Sequence, residues 1–295
     1  MVTDMSVSRI TSVWYEASAR DLPWRKPWVS PWAVLVSEVM LQQTPVSRVE
    51  PVWHAWCERW PTPIALASEP AGEAIRAWGR LGYPRRALRL HGCATALVER
   101  HGGEVPATLT ELLTLPGVGG YTARAVAAFA FRQRHPVVDT NVRRVVARAV
   151  DGRPDAGLAT TTADLRAVEA LLPEEPEAAA VTSVALMELG ALVCTARAPR
   201  CADCPLLASC AWQATRPTGP ACPARPATRS QRYVGTDRHV RGLLLAVLRE
   251  AADPVPAVRL DAVWPELEQR SRALGSLVAD GLVCEVATGH YALPG

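Results

Sequence analysis

TLTELLTLPGVGGYTARAVAAFAF, residues 108–131, reads as helix, turn, helix. Leucines at helical spacing carry the first part, Pro116 stops it, and a run of alanines with Val126, Phe129 and Phe131 carries the second. Between them, Gly117 and Gly119 allow positive φ and close backbone approach. The second helix then starts with free N–H groups facing outward, an arrangement that can hold a phosphate without reading base sequence. The same residues also satisfy a plain αα-hairpin turn, and Leu-Pro-Gly-Val-Gly alone leaves both readings open.

The helical texture extends in both directions. Segments 32–43, 45–59, 70–79, 84–101, 108–115, 121–131, 139–150, 161–172 and 177–193 carry apolar residues at helical spacing. Short breaks such as RWPTP and GRLGYP separate them, and no convincing alternating strand interrupts the series. Residues 213–232, rich in Pro, Arg, Ala and Thr, read as a linker. Beyond it, RGLLLAVLREA, RLDAVW and PELEQRSRALGSLVADGL read as three helices, and GLVCEVATGHYAL as a small hairpin. Three helices and a hairpin suit a winged helix or, equally, a helical docking module.

The chain has 295 residues, enough for about two domains. Thirty-two basic and 29 acidic residues give +3, which permits a nucleic-acid partner without demanding one. Lys26 is the only lysine, so a Schiff-base mechanism has one candidate amine. No apolar run reaches the ~18 residues of a membrane span, and the first residues lack the apolar core of an export signal. A cytoplasmic, nucleoid-associated protein is expected.

Four of the eight cysteines, Cys194, Cys201, Cys204 and Cys210, fall within 17 residues in the pattern Cys-x6-Cys-x2-Cys-x5-Cys. A reducing compartment argues against disulfides. Four thiolates in one short wrap suit an iron–sulfur cluster; zinc remains the competing ligand, although its structural sites usually draw on two close pairs. Arg197 and Arg200 in the same loop read either as phosphate contacts or as solvated arginines.

Two carboxylates stand out. VLVSEVMLQQT, residues 34–44, is an apolar helix with Glu38 in its middle. Ser37, Glu38 and Gln42 share one helix face, so a solvated stripe is one reading and a buried acid the other. In VVDTNV, Asp139 precedes a helix and has the position of an N-cap.

In this order, LPGVGGYT, VVDTNV and the four-cysteine loop resemble the helix-hairpin-helix DNA glycosylases, over roughly residues 8–212. SEVMLQQT, GRLGYPRRA and LPW narrow the resemblance to the MutY adenine glycosylases, which remove adenine mispaired with 8-oxoguanine. The resemblance implies a mainly α, two-lobed glycosylase domain over 1–212 with a 4Fe–4S cluster on loop 194–210. The linker 213–232 and a winged-helix-like unit over 233–295 would follow. The implied partner is double-stranded DNA carrying an adenine mispair, bound by a monomer, with the target base flipped into a pocket. Glu38 would protonate adenine N7 and then activate water, its pKa raised by the apolar helix. Asp139 would stay ionised and stabilise the sugar cation or form a covalent adduct with it, with Tyr121 and Asn141 assisting. Gln43 and Thr44 match residues that contact the base opposite, and Tyr83 matches an aromatic wedge. Gly117 and Gly119 would hold phosphate, as would Arg85, Arg86, Arg143 and Arg144.

Bifunctional relatives place a lysine where this chain has Tyr121, so a monofunctional enzyme that leaves an abasic site is expected. The chain departs from the family in two places. Its tail is too short for a Nudix-like domain and is similar to the short tails of some actinobacterial members, and Pro45 follows LQQT. A thymine or uracil mismatch glycosylase and a non-catalytic iron–sulfur DNA-binding regulator are the competing readings.

Overall fold

In a computed structural model, residues 4–157, 160–215 and 233–295 are described. The helices in chain order are α1 Asp4–Ser18, α2 Pro31–Leu41, α3 Val46–Arg59, α4 Pro63–Ala67, α5 Ala71–Trp78, α6 Arg85–His101, α7 Leu109–Leu112, α8 Gly120–Phe129, α9 Thr140–Ala149, α10 Thr162–Leu171, α11 Pro176–Leu192, α12 Ala211–Thr215, α13 Asp237–Glu250, α14 Ala257–Asp261 and α15 Leu267–Ala279. Short 3-10 turns cover Pro23–Arg25, Cys201–Asp203 and Leu207–Ser209. None of the described helices is long and apolar enough to cross a membrane.

Local chemistry sets many of these boundaries. Thr62 and Thr108 cap α4 and α7 through their hydroxyls, and Thr161 with Asp164 forms a capping box on α10. α6 ends where Gly102 turns left-handed at φ 62°.

The described residues form two compact units that interleave along the chain. The first takes residues up to Glu38, 106–114 and 118–215; the second takes 39–105, 115–117 and 233–295. In the first unit, α1, α9, α10 and α11 enclose a core that includes Val7, Val142, Val146, Leu186, Leu189 and Val193. In the second, α3 to α6 pack around Trp56, whose ring meets Trp60 and Trp78 edge-on at 4.7 and 5.8 Å. The C-terminal residues of that unit form a winged-helix arrangement. α13 packs on α15, and strands β1 Val255–Pro256, β2 Cys284–Ala287 and β3 His290–Ala292 form an antiparallel sheet in the order β1-β3-β2.

The fold differs from the sequence expectation in a few places. α1 is a full helix that the apolar pattern did not single out, and its buried face includes polar residues. Thr11 is buried and donates its hydroxyl to Val7 O at 2.8 Å. The helix expected over 108–115 contracts to Leu109–Leu112, and the hairpin gains a third strand, β1. α12 covers 213–215 of the expected linker, while 216–232, with Cys222, lie outside the described residues.

Candidate active site

Glu38 sits at the middle of α2 and is only 7% exposed, and its neighbour Ser37 is fully buried with its hydroxyl on Val34 O at 2.7 Å. The polar face of α2 is therefore an interior face and not a solvated stripe. Burial pushes the Glu38 carboxyl up to about 7, against the opposing pull of the Tyr121 hydroxyl that hydrogen-bonds to it and of the Arg25 charge; the Asp139 charge adds to the rise. Tyr121, in the first turn of α8, is held far above its ordinary range by burial and by the two carboxylates, so it remains a donor.

Asp139 is the N-cap of α9. Its carboxylate accepts from Val142 N at 2.7 Å and from Asn141 Nδ2 at 2.8 Å. Burial raises its pKa, while those two hydrogen bonds and the Arg144 charge favour the ionised form. Asn141 Oδ1 accepts in turn from Arg144 Nη2 at 2.8 Å, and Arg144 continues to Gly190 O at 2.7 Å and Cys194 O at 2.6 Å. Gly190 is a necessity of this contact, because a Cβ there would lie 2.7 Å from Asn141 Cβ.

Cys194, Cys201, Cys204 and Cys210 line one hollow together with Arg148, Leu206 and Trp212. Arg148 stacks over Trp212 at 4.6 Å, donates to Thr195 O at 2.7 Å and lies 3.6 Å from Cys194 Sγ. Gln213 Nε2 donates to Cys201 Sγ at 3.0 Å. All four thiols are free, and among the described residues no group of three or more Cys, His, Asp or Glu is set to hold a single metal ion. In the same loop Arg200 is tied to Leu192 O at 2.6 Å, while Arg197 is exposed.

In the second unit, Arg86 is a structural hub. Its guanidinium donates to Val39 O at 3.0 Å, Met40 O at 3.3 Å, Thr44 Oγ1 at 3.1 Å and Gly82 O at 3.3 Å, and also to Gln42 O. It caps the free carbonyls at the end of α2 and fixes the Gln42–Thr44 turn against the loop that carries Tyr83. Thr44 is buried, Gln43 is exposed with φ 54°, and Tyr83 is 45% exposed with φ 48°.

Three sequence expectations need correction. Arg86 is buried among carbonyl oxygens and is not a surface phosphate contact. Arg143 has a side chain only 4% exposed, paired with Asp164 at 3.1 Å and bonded to Ala156 O at 2.6 Å, so it joins α9 to α10 and offers no guanidinium to a phosphate. Gly117 has φ 78°, but Gly119 has φ −95° as the N-cap of α8, so its value is the open space beside it and not left-handed freedom.

A family model described as "HhH-GPD superfamily base excision DNA repair protein" matches residues 36–168. An adenine DNA glycosylase of Mycobacterium tuberculosis is 58% identical over 96% of this chain and 91% of its own length. This chain belongs to the adenine DNA glycosylases. It is an enzyme of base excision repair, a hydrolase of N-glycosidic bonds. Among solved structures, a thermostable thymine-DNA glycosylase superposes with a TM-score of 0.66 at 26% identity, over 72% of this chain and 97% of that one. A trapped endonuclease III–DNA covalent intermediate superposes with 0.61 at 26% identity, over 72% and 98%.

The glycosylase has a second buried carboxylate that sequence reading missed. Glu188 of α11 is fully buried and accepts from Arg20 Nε at 2.6 Å, Arg20 Nη2 at 2.8 Å and Arg25 Nη2 at 2.9 Å. Burial alone would raise its pKa, but Arg20 and Arg25 hold it down at about 2. Arg25, on the turn Pro23–Arg25, therefore links Glu188 to the field around Glu38, and its Nη1 is buried without a hydrogen-bond partner. The available signal was VALMELGAL, a lone carboxylate in an apolar helix, as in α2.

Proposed function

We propose that this glycosylase releases adenine mispaired with 8-oxoguanine or guanine by acid-assisted hydrolysis and leaves an abasic site. The observation that carries the reading is Glu38, a buried carboxyl brought to about 7, hydrogen-bonded by Tyr121 and within the field of Asp139. A carboxyl with that pKa is protonated for much of the time near neutrality and gives its proton up readily. In the proposed reaction the Glu38 O–H donates its proton to adenine N7. The C1′–N9 bond breaks with its electron pair leaving on the base, and the sugar becomes an oxocarbenium ion. The Asp139 carboxylate, held ionic by Val142 N and Asn141, stabilises that cation. The Glu38 carboxylate then takes a proton from water as the hydroxyl adds to C1′. Tyr121 orients Glu38 throughout. The unpartnered Arg25 Nη1 is a donor for the edge of the flipped base.

The absence of a lysine from the described site supports a monofunctional outcome. Lys26, the only lysine, is ion-paired with Asp21, and position 121 is a tyrosine. On the opposite strand, exposed Gln43 and the protruding Tyr83 are suited to the partner base, with buried Thr44 fixing their turn through Arg86, and the amides after Gly117 and Gly119 are suited to a phosphate. The four thiols line one hollow in the spacing Cys-x6-Cys-x2-Cys-x5-Cys, a set of soft ligands suited to a 4Fe–4S cluster. Such a cluster would supply the fold of loop 194–210, which Arg144 and Arg148 tie to α9.

Single-turnover assays test this reading on duplexes with A opposite 8-oxoguanine, A opposite G, A opposite C and T opposite G, with and without alkali. Breakage only after alkali, and only where adenine is mispaired, is expected. Thymine release would move the assignment towards the solved thymine-DNA glycosylase. Strand cleavage without alkali would overturn the monofunctional mechanism.

A further inference from the structure

The C-terminal residues have the topology of a winged helix, but their charges do not suit a groove reader. α15 opens with Glu266, Leu267 and Glu268, Arg272 is paired with Asp237 at 3.2 Å, and Arg270 with Asp261 at 2.8 Å. What this segment does contact is α5 and the first residue of α6, the two helices that flank the loop of Tyr83. Pro294 O accepts from Gly72 N at 2.7 Å, Leu248 O from Arg76 Nη1 at 3.3 Å, and Ile75 O from Arg249 Nε at 3.1 Å. Arg85 pairs with Asp280 at 3.3 Å.

This docking brings Arg238, in the first turn of α13, to 4.8 Å from the centre of the Tyr83 ring. The guanidinium of Arg86 lies 5.0 Å from the same ring. Tyr83 thus holds a left-handed backbone, φ 48°, with an exposed ring braced by two cations, one from its own helical scaffold and one from the C-terminal domain. An exposed aromatic side chain fixed before binding loses less freedom when it enters a duplex.

We propose that Arg238 is a positioning residue for Tyr83, and that the short C-terminal domain serves the glycosylase by bracing this ring and not by reading DNA through α15. The inference rests on Tyr83 being the residue that enters the duplex. It is tested in the full-length chain by measuring affinity for a duplex with 8-oxoguanine opposite a 2′-fluoroadenosine, whose glycosidic bond resists hydrolysis. Wild type, Arg238→Ala, Tyr83→Ala and the double variant are compared at several salt concentrations. The expected result is a loss of about three- to fivefold for Arg238→Ala, the scale of one exposed cation–π contact. That loss should vanish in the Tyr83→Ala background, with the salt dependence unchanged.

Gly72→Ala provides an independent arm. A Cβ there would meet Pro294 O at 2.6 Å, so the variant loosens the docked domain without touching Tyr83 or Arg238 and should give the same loss. An Arg238→Ala loss that persists in the Tyr83→Ala chain, with a salt slope shallower by about one, would make Arg238 a plain phosphate contact and overturn the proposal. No loss at all would also overturn it. If Tyr83→Ala binds as wild type while adenine release is intact, the wedge assignment has failed, and the brace with it. If wild type releases no adenine, the fault lies in the functional reading itself.

Discussion

Glu38 and Glu188 are both glutamates in apolar helices, and their surroundings send them in opposite directions. Glu188 meets two guanidiniums and is an ordinary anion at about 2; Glu38 meets a tyrosine hydroxyl and more distant charges and stays near 7. The raised value has a stability cost. Between the unfolded value near 4.5 and the folded value near 7 the native state holds the extra proton, so stability falls as pH rises through that window. Glu38→Gln should therefore be more stable than wild type by about 3 kcal/mol at pH 8 and by less than about 1 kcal/mol at pH 5. Urea unfolding at the two pH values checks this; equal stability at pH 8 would rule out a strained carboxyl. The same variant should lose about 10²- to 10⁴-fold in base release. In wild type, kcat/KM should fall as pH rises through about 7, where Glu38 loses its proton, and fall again on the acid side as Asp139 gains one. A flat profile across neutrality would exclude Glu38 as the acid. Asp139 is both a cap and a charge, and Asp139→Asn separates the roles. Asparagine caps as well as aspartate, so the unfolding midpoint should hold while base release drops by at least about 100-fold. The sequence exposed Glu38 and Asp139 as residues out of place. It could not expose their partnership with Arg25 and Glu188, because ion pairs across more than 160 positions leave no local pattern.

The hairpin that announces the fold uses its glycines unequally. Gly117 needs φ 78°, and a Cβ there would sit 2.7 Å from Arg89 Cβ, whereas Gly119 has ordinary dihedrals and nothing within 4 Å. Gly117→Ala should cost about 1–3 kcal/mol in stability. Gly119→Ala should cost no more than about 1 kcal/mol, the preference of an N-cap for Gly over Ala. It should nevertheless weaken duplex binding about tenfold, because its methyl group stands where a phosphate would approach the amides. Denaturant midpoints and duplex affinity of the two variants decide the matter; equal affinity of Gly119→Ala and wild type would remove phosphate from this turn. Elements defined by dense apolar spacing, such as α3, α6 and α9, were legible within a residue or two. α1 was not, because its contrast between faces is weak and its burial comes from α10 and α11, far along the chain. Arg86 and Arg143 misled for a related reason: an arginine in sequence looks solvated until the carbonyls and carboxylates it serves have been folded around it.

At the scale of the whole molecule, chain order and structural order diverge. A reading along the sequence divides the protein before and after the linker, yet residues 233–295 form one compact unit with 39–105. The bonds joining them are specific: Gly72 N to Pro294 O, Arg76 and Arg249 exchanging bonds with backbone carbonyls, and the Arg85–Asp280 ion pair. No local pattern encodes such docking, because each participant is an unremarkable arginine, glycine or carbonyl in its own segment. A chain ending at residue 215 therefore removes part of a compact unit and not an appendage. Its second unit should lose on the order of 3 kcal/mol, about 1 kcal/mol for each of the three lost hydrogen bonds to Pro294 O, Leu248 O and Ile75 O, before any apolar surface is counted. Calorimetry of the full and shortened chains measures this directly. A second unit that melts early in the shortened chain, while the first unit around α9 and α11 is unmoved, is the expected pattern. Identical melting of the two chains would mean that the C-terminal domain is tethered and not docked, and would leave Tyr83 supported by Arg86 alone.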